Sequence, residues 1–185
     1  MTDIRDVVKY LLSLFKADAI KYDDNRADIS NLKLQKLLYY CQAYSLALTG
    51  EPLFDEDIEA WAWGPVIPSV YKQYKKYGCN NIPVNDIADC SSIEDERAEG
   101  IISLVKRKMG PYSATGLIDI THKEDPWRDA VAKGLNEVIT SESLRKYFAD
   151  KMFTELLDEE EDAFWKSVSE PLDKRAINRL KALVI

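Results

Sequence analysis

Cysteine, histidine and long apolar runs are all scarce in this chain, and each shortage removes a class of protein. Cys41, Cys79 and Cys90 are the three cysteines; they are unevenly spaced and form no C-x-x-C pair. Neither a disulfide framework nor a zinc site is suggested, and no cofactor motif is present. No uncharged apolar stretch approaches the ~20 residues that would span a bilayer. The opening MTDIRDVVKYLLSLFKAD places Asp3 and Asp6 where a signal peptide needs positive charge, so a soluble, cytoplasmic chain without a membrane role is expected. Basic charge is also in deficit. With 25 Lys and Arg against 32 Asp and Glu, the 185 residues carry a formal charge of -7, which argues against sequence-independent attraction to a phosphate backbone. Repeats and low-complexity segments are lacking too. What remains is a 46% hydrophobic chain, long enough for one domain with a well-buried core.

The densest signal is IEAWAWGPVIPSVYKQYKKYG, residues 58–78. Trp61 and Trp63 fall at period two, Gly64 and Pro65 break regular structure, and Pro68 suits the first turn of a helix. Rings held on such a turn either fill the core or anchor a partner protein. Around this motif helical periodicity dominates. Ile4, Val7, Val8, Leu11 and Phe15 line a first helix behind a Thr2 or Asp3 cap. IKYDDNRADIS reads as a loop, after which Ser30 or Asn31 caps a second helix with Leu34, Leu37, Leu38, Cys41, Tyr44 and Leu48 on one face. Gly50 and Pro52 end it. Val70, Tyr74 and Tyr77 make the third stripe, closed by Gly78.

CNNIPVNDIADCSS reads as a loop. Ser91 with Glu94, or Ser92 with Asp95, matches a capping box before a helix carrying Ala98, Ile101, Ile102, Val105 and Met109. Ser113 caps a short helix, Asp125 and Pro126 open another that ends at Gly134, and His122 stands between the two. A pattern from Ser141 runs through Leu144, Phe148 and Leu157 into the acidic residues 158–162, then Phe164 and Trp165. Ile177, Leu180 and Val184 mark a last amphipathic helix opposite Lys174, Arg175, Arg179 and Lys181. Strand signals are limited to Ile58, Ala60 and Ala62 and to Ile82 and Val84. The fold class expected is mainly α, a single compact domain of about seven to nine helices with at most a small two-stranded β element.

Four blocks in this order, LKLQKLLYYCQAYSLALTGEPLF (32–54), IEAWAWGPVIPSVYKQYKKYG (58–78), YSATGLIDITHKEDPW (112–127) and ITSESLRKYF (139–148), resemble the Panacea domain family, which is similar to SocA-type antitoxins. The resemblance implies a mainly helical domain that serves as the antitoxin of toxin–antitoxin pairs, often linked to phage or prophage. Such a domain binds and neutralises a cognate toxin protein, and some relatives instead deliver the toxin to a cytosolic protease. Residues 1–148 would form the Panacea-like domain. Residues 149–185 lie beyond the resemblance and would be a helical extension that chooses the partner.

Partner-binding candidates are Trp61, Trp63, Gly64, Pro65, Tyr71, His122, Trp127 and Trp165. Each has a blander reading. Trp61, Trp63 and Trp127 are the size and type of residue that fills a core, with Trp63 the best candidate for exposure. Gly64 and Pro65 set backbone geometry. His122 could act as a general base oriented by Asp119, Glu124 or Asp125, but a nucleophile or metal would be needed as well and none is evident; a lone histidine past a short helix more often bonds a backbone carbonyl or a helix end. In YKQYKKYG the tyrosines and lysines have the composition of a single-strand nucleic-acid surface, yet their spacing turns Val70, Tyr74 and Tyr77 inward and the lysines to water. The acidic residues 158–162 could mimic phosphates toward a nucleic-acid-binding toxin, or pair with Lys174 and Arg175. The reading is therefore a binding protein rather than an enzyme.

Overall fold

The computed structural model describes residues 1–23 and 26–157. Among them are seven α-helices and two two-stranded antiparallel ribbons, so the mainly helical class holds. Helix α1 (Ile4–Lys21) begins where the Asp3 carboxylate accepts from the Arg5 N–H at 2.8 Å, and it buries its predicted apolar stripe. Ser30 caps α2 (Asn31–Thr49) by accepting from the Lys33 N–H. Gly50 closes it in the left-handed region at φ 76°, a conformation natural to glycine.

Helix α2 is the axis of the molecule. Helices α4 (Glu96–Met109), α5 (Ala114–Thr121) and α7 (Ser141–Leu157) pack around it, so residues 33–48 are buried on every side rather than along one stripe as expected. Its inward polar side chains clamp the backbone of segments that follow. The Gln42 amide donates to the Phe54 carbonyl at 3.0 Å and accepts from the Leu53 and Phe54 N–H groups, and Ser45 donates to the Glu51 carbonyl at 2.8 Å. These bonds offset the desolvation that buried polar groups would otherwise suffer.

Strands β2 (Glu59–Trp61) and β3 (Gly64–Val66) form a hairpin, with Ala60 opposite Pro65 and Trp61 opposite Gly64. The Gly64–Pro65 pair thus enters a strand instead of ending regular structure; Gly64 sits at φ 93°, which a residue without Cβ adopts readily. The segment read as a loop before α2 contains β1 (Arg26–Ser30), which pairs with β4 (Asn81–Pro83). The strand signal at Ile82 is met by β4, whereas RADIS, in which buried Ala27 and Ile29 alternate with polar residues, was passed over because it is short, sits in a polar stretch and finds its partner some fifty residues away. Pro68 opens the short α3 (Pro68–Tyr74), which tightens into a 3-10 turn at Lys75–Tyr77. Helix α4 starts one residue after Asp95, whose carboxylate accepts from the Ala98 N–H at 3.1 Å, so neither Ser91 nor Ser92 is the cap. The Ser113 cap of α5 and the Asp125–Pro126 opening of α6 (Asp125–Lys133) are as expected. Helix α7 runs unbroken past residue 148, with Ala149 and Met152 in the core. The acidic residues 158–162, Trp165 and the final amphipathic pattern lie outside the described residues.

Candidate functional site

The β2–β3 hairpin is held from behind by three fixed contacts. The Gln35 side-chain oxygen accepts from the Ile67 N–H at 2.9 Å, and Lys36 Nζ donates to the Pro65 carbonyl at 3.0 Å. From the other side, the Trp127 indole N–H donates to the Trp61 carbonyl at 3.1 Å. The outer edge of β2 is also taken: the Ala60 N–H donates to the Glu137 carbonyl, the Asn136 N–H to the Ala60 carbonyl, and the Ile139 N–H to the Ile58 carbonyl, all at 2.8–2.9 Å. The loop bearing Trp63 is therefore presented on a rigid base.

In front of the hairpin lies an open groove of about 630 Å³. Trp61, Trp63, Val66, Tyr71, Ile118 and Leu135 supply its apolar surface; Asn31, Gln35 and Asn136 are its amides, and Lys75 stands at its rim. Trp61 meets Tyr71 edge to face at 5.1 Å and donates its indole N–H to the Glu59 carboxylate at 2.8 Å. Trp63 is 70% exposed and Leu135 61% exposed. Large side chains left in water beside an apolar depression make this an exposed hydrophobic patch. The core-filling expectation fails for Trp63, because the two-residue turn throws it outward, and holds only in part for the half-buried Trp61 and Trp127.

Two titratable groups lie behind this face. Lys36 is fully buried, and burial pushes its pKa down to about 7; among the described residues its hydrogen-bond partner is a carbonyl rather than a carboxylate. A Cβ at Gly64 would stand 2.7 Å from Lys36 Cε, 2.8 Å from its Nζ and 3.0 Å from Thr121 Oγ1. His122 caps α5 through its backbone N–H, and its ring stacks on Trp127 at 4.0 Å. Its place at the helix end is as expected, but through the backbone rather than the ring: the buried Nε2 has no hydrogen-bond partner among the described residues. Burial and then the neighbouring Lys36 charge lower its pKa, against a smaller opposing effect of Asp119.

Glu124 does not orient His122. Its buried carboxylate accepts from Tyr39 at 3.0 Å, Tyr40 at 3.3 Å and Lys151 at 2.9 Å, joining α2, the start of α6 and α7. Burial raises its pKa, opposed by Lys151 and the two phenols. Of the residues singled out from sequence, Trp61, Trp63 and Tyr71 meet in the groove, Gly64 and Pro65 shape the hairpin, and His122 and Trp127 brace it; Trp165 lies outside the described residues. Gln35 and Lys36 were missed. Their one signal was polar side chains inside the otherwise apolar LKLQKLLYYCQ.

A family model described as Antitoxin SocA-like, Panacea domain matches residues 34–128, from α2 into α6, and the chain belongs to this family. Among relatives, Antitoxin SocA of Caulobacter vibrioides (strain NA1000 / CB15N) is 37% identical over 116 residues, covering 57% of this chain and 61% of that protein. The chain thus spans less than two thirds of that relative's length. No solved structure matches. Among the described residues no helix is long and apolar enough to cross a membrane.

Proposed function

We propose that this chain is an antitoxin that neutralises a cognate toxin protein by direct contact, with no chemistry of its own. The observation that carries the reading is the apolar groove with Trp63 and Leu135 held in water above it. Aromatic anchors of this kind dominate binding energy when a partner desolvates them, and the braced hairpin keeps the ordering cost of association low. Family membership and the name of the relative favour the same role. Trp61, Trp63 and Tyr71 would touch the toxin, with Gly64, Pro65, His122 and Trp127 positioning them. Residues 149–185 would add partner specificity to the domain of residues 1–148.

Delivery of the toxin to a cytosolic protease is a second reading on the same surface. Catalysis by His122 is disfavoured by its stacked ring, the burial of its Nε2 and the engagement of Glu124 elsewhere. The test is co-expression with the toxic open reading frame beside its gene. Rescue and co-purification are expected, both lost with Trp63→Ala and only weakened with His122→Ala, which removes the ring stacked on Trp127; complete loss of rescue with binding retained in His122→Ala would favour catalysis instead. Rescue that persists with Trp63→Ala would remove this surface from the function, and rescue only in hosts with an intact cytosolic protease would favour the adaptor.

A further inference from the structure

Building on the reading that this face contacts a protein, we infer that the groove receives an amphipathic helix of the partner whose apolar face is flanked by carboxylates. Strand pairing along the hairpin is closed to an occupant. The β2 edge is bonded to residues 136–139, and the β3 side is bonded to Gln35 and Lys36 of α2. Strand addition needs an open edge, so the occupant must dock through side chains, as a helix lying in a groove does. Two of the groove's three amides are already engaged: Asn31 donates to the Tyr71 carbonyl at 3.2 Å, and Gln35 donates to the Asn31 side-chain oxygen at 3.0 Å. What the walls offer is ring and aliphatic surface, from Trp61 and Tyr71 on one side to Trp63 and Leu135 at the lip.

Charge supplies the flank. On a chain of formal charge -7, the groove lining holds Lys75 and no carboxylate among the described residues. Exposed Lys72 lies one turn back on α3, and neither lysine has an ion-pair partner among the described residues. Opposite charge beside an apolar patch fixes orientation and excludes basic competitors.

The test is selection of a displayed library of random peptides, about 18 residues long so that a helix can form, against the full chain. Apolar residues at i, i+3, i+4 and i+7 with Asp or Glu alongside are expected among the binders. Trp63→Ala should weaken these peptides about tenfold or more, and Lys75→Glu should turn the preference toward Lys-flanked versions, with thermal melts showing both variants folded. Absence of binders, proline-rich or extended binders, basic flanks, or indifference to both substitutions would overturn the inference. So would occupancy by the chain itself, read as a synthetic peptide of residues 158–185 saturating the groove or as a dimer dissolved by Trp63→Ala. Helical acidic-flanked binders without rescue of any toxin would leave this inference standing and remove the antitoxin role; rescue through Trp63 with binders of other chemistry would do the reverse.

Discussion

Lys36→Met should flatten part of the pH dependence of stability, because the parent chain folds around an amine that prefers to be neutral. The pKa falls from 10.5 toward about 7 on folding through burial. A depressed folded value means that the stability contribution is full above 10.5, is lost as pH falls toward 7, and changes no further below that, where both states are protonated. Between pH 7 and 9 the unfolded chain keeps its proton while the folded chain releases it, so the parent gains about 2 kcal/mol over that interval. Buried Cys41, Tyr39 and Tyr40 have raised values that act in the opposite direction at higher pH, but they are common to both proteins and cancel in the difference. Loss of the bond to the Pro65 carbonyl adds a penalty of about 1–3 kcal/mol that does not vary with pH. The assay is urea unfolding of both proteins from pH 6 to 9. The difference should swing toward the parent by about 2 kcal/mol between pH 7 and 9, or roughly 4–8 °C in Tm, while the His122 resonance titrates at higher pH in the variant because one of the effects lowering it is gone. Parallel stability profiles with an unmoved His122 titration would refute the reasoning.

Gly64→Ala should destabilise by about 3 kcal/mol, from the positive φ and from a Cβ that displaces the Lys36 side chain; combining it with Lys36→Ala should be markedly less than additive in denaturant unfolding. Glu124→Ala should cost about 3–5 kcal/mol, because the Tyr39 and Tyr40 hydroxyls lose a shared buried acceptor and Lys151 loses its carboxylate, whereas Glu124→Gln should recover part of that loss in the same thermal melt. Deleting residues 149–185 should abolish toxin rescue; since Ala149 and Met152 are core residues, a second truncation after Leu157 separates lost recognition from lost packing by circular dichroism, and unchanged rescue with both would remove the specificity role of the segment.

Local rules of the chain carried through where neighbours in sequence are neighbours in space. The stripe Ile4, Val7, Val8, Leu11, Phe15 and the Asp3 cap specify α1 from within one segment, as Ser113 does for α5 and Pro126 for α6, because capping and helical periodicity are satisfied over a turn or two. Trp63 was legible only as the best candidate for exposure among three tryptophans expected to fill the core, and the hairpin turn settled it. Tertiary structure decided the rest. It made RADIS a strand by bringing Asn81–Pro83 beside it, and it buried α2 on all sides by surrounding it with helices from three distant segments. The same assembly placed the Lys36 amine under Pro65 and Glu124 between Tyr39, Tyr40 and Lys151. Each of these is a pairing of groups far apart in the chain, where desolvation and hydrogen bonding depend on what arrives from elsewhere. Composition and spacing therefore determined the helices found among the described residues and that aromatic side chains cluster near one turn, and the packing alone decided that those rings line an apolar groove beside a hairpin whose strand edges are closed.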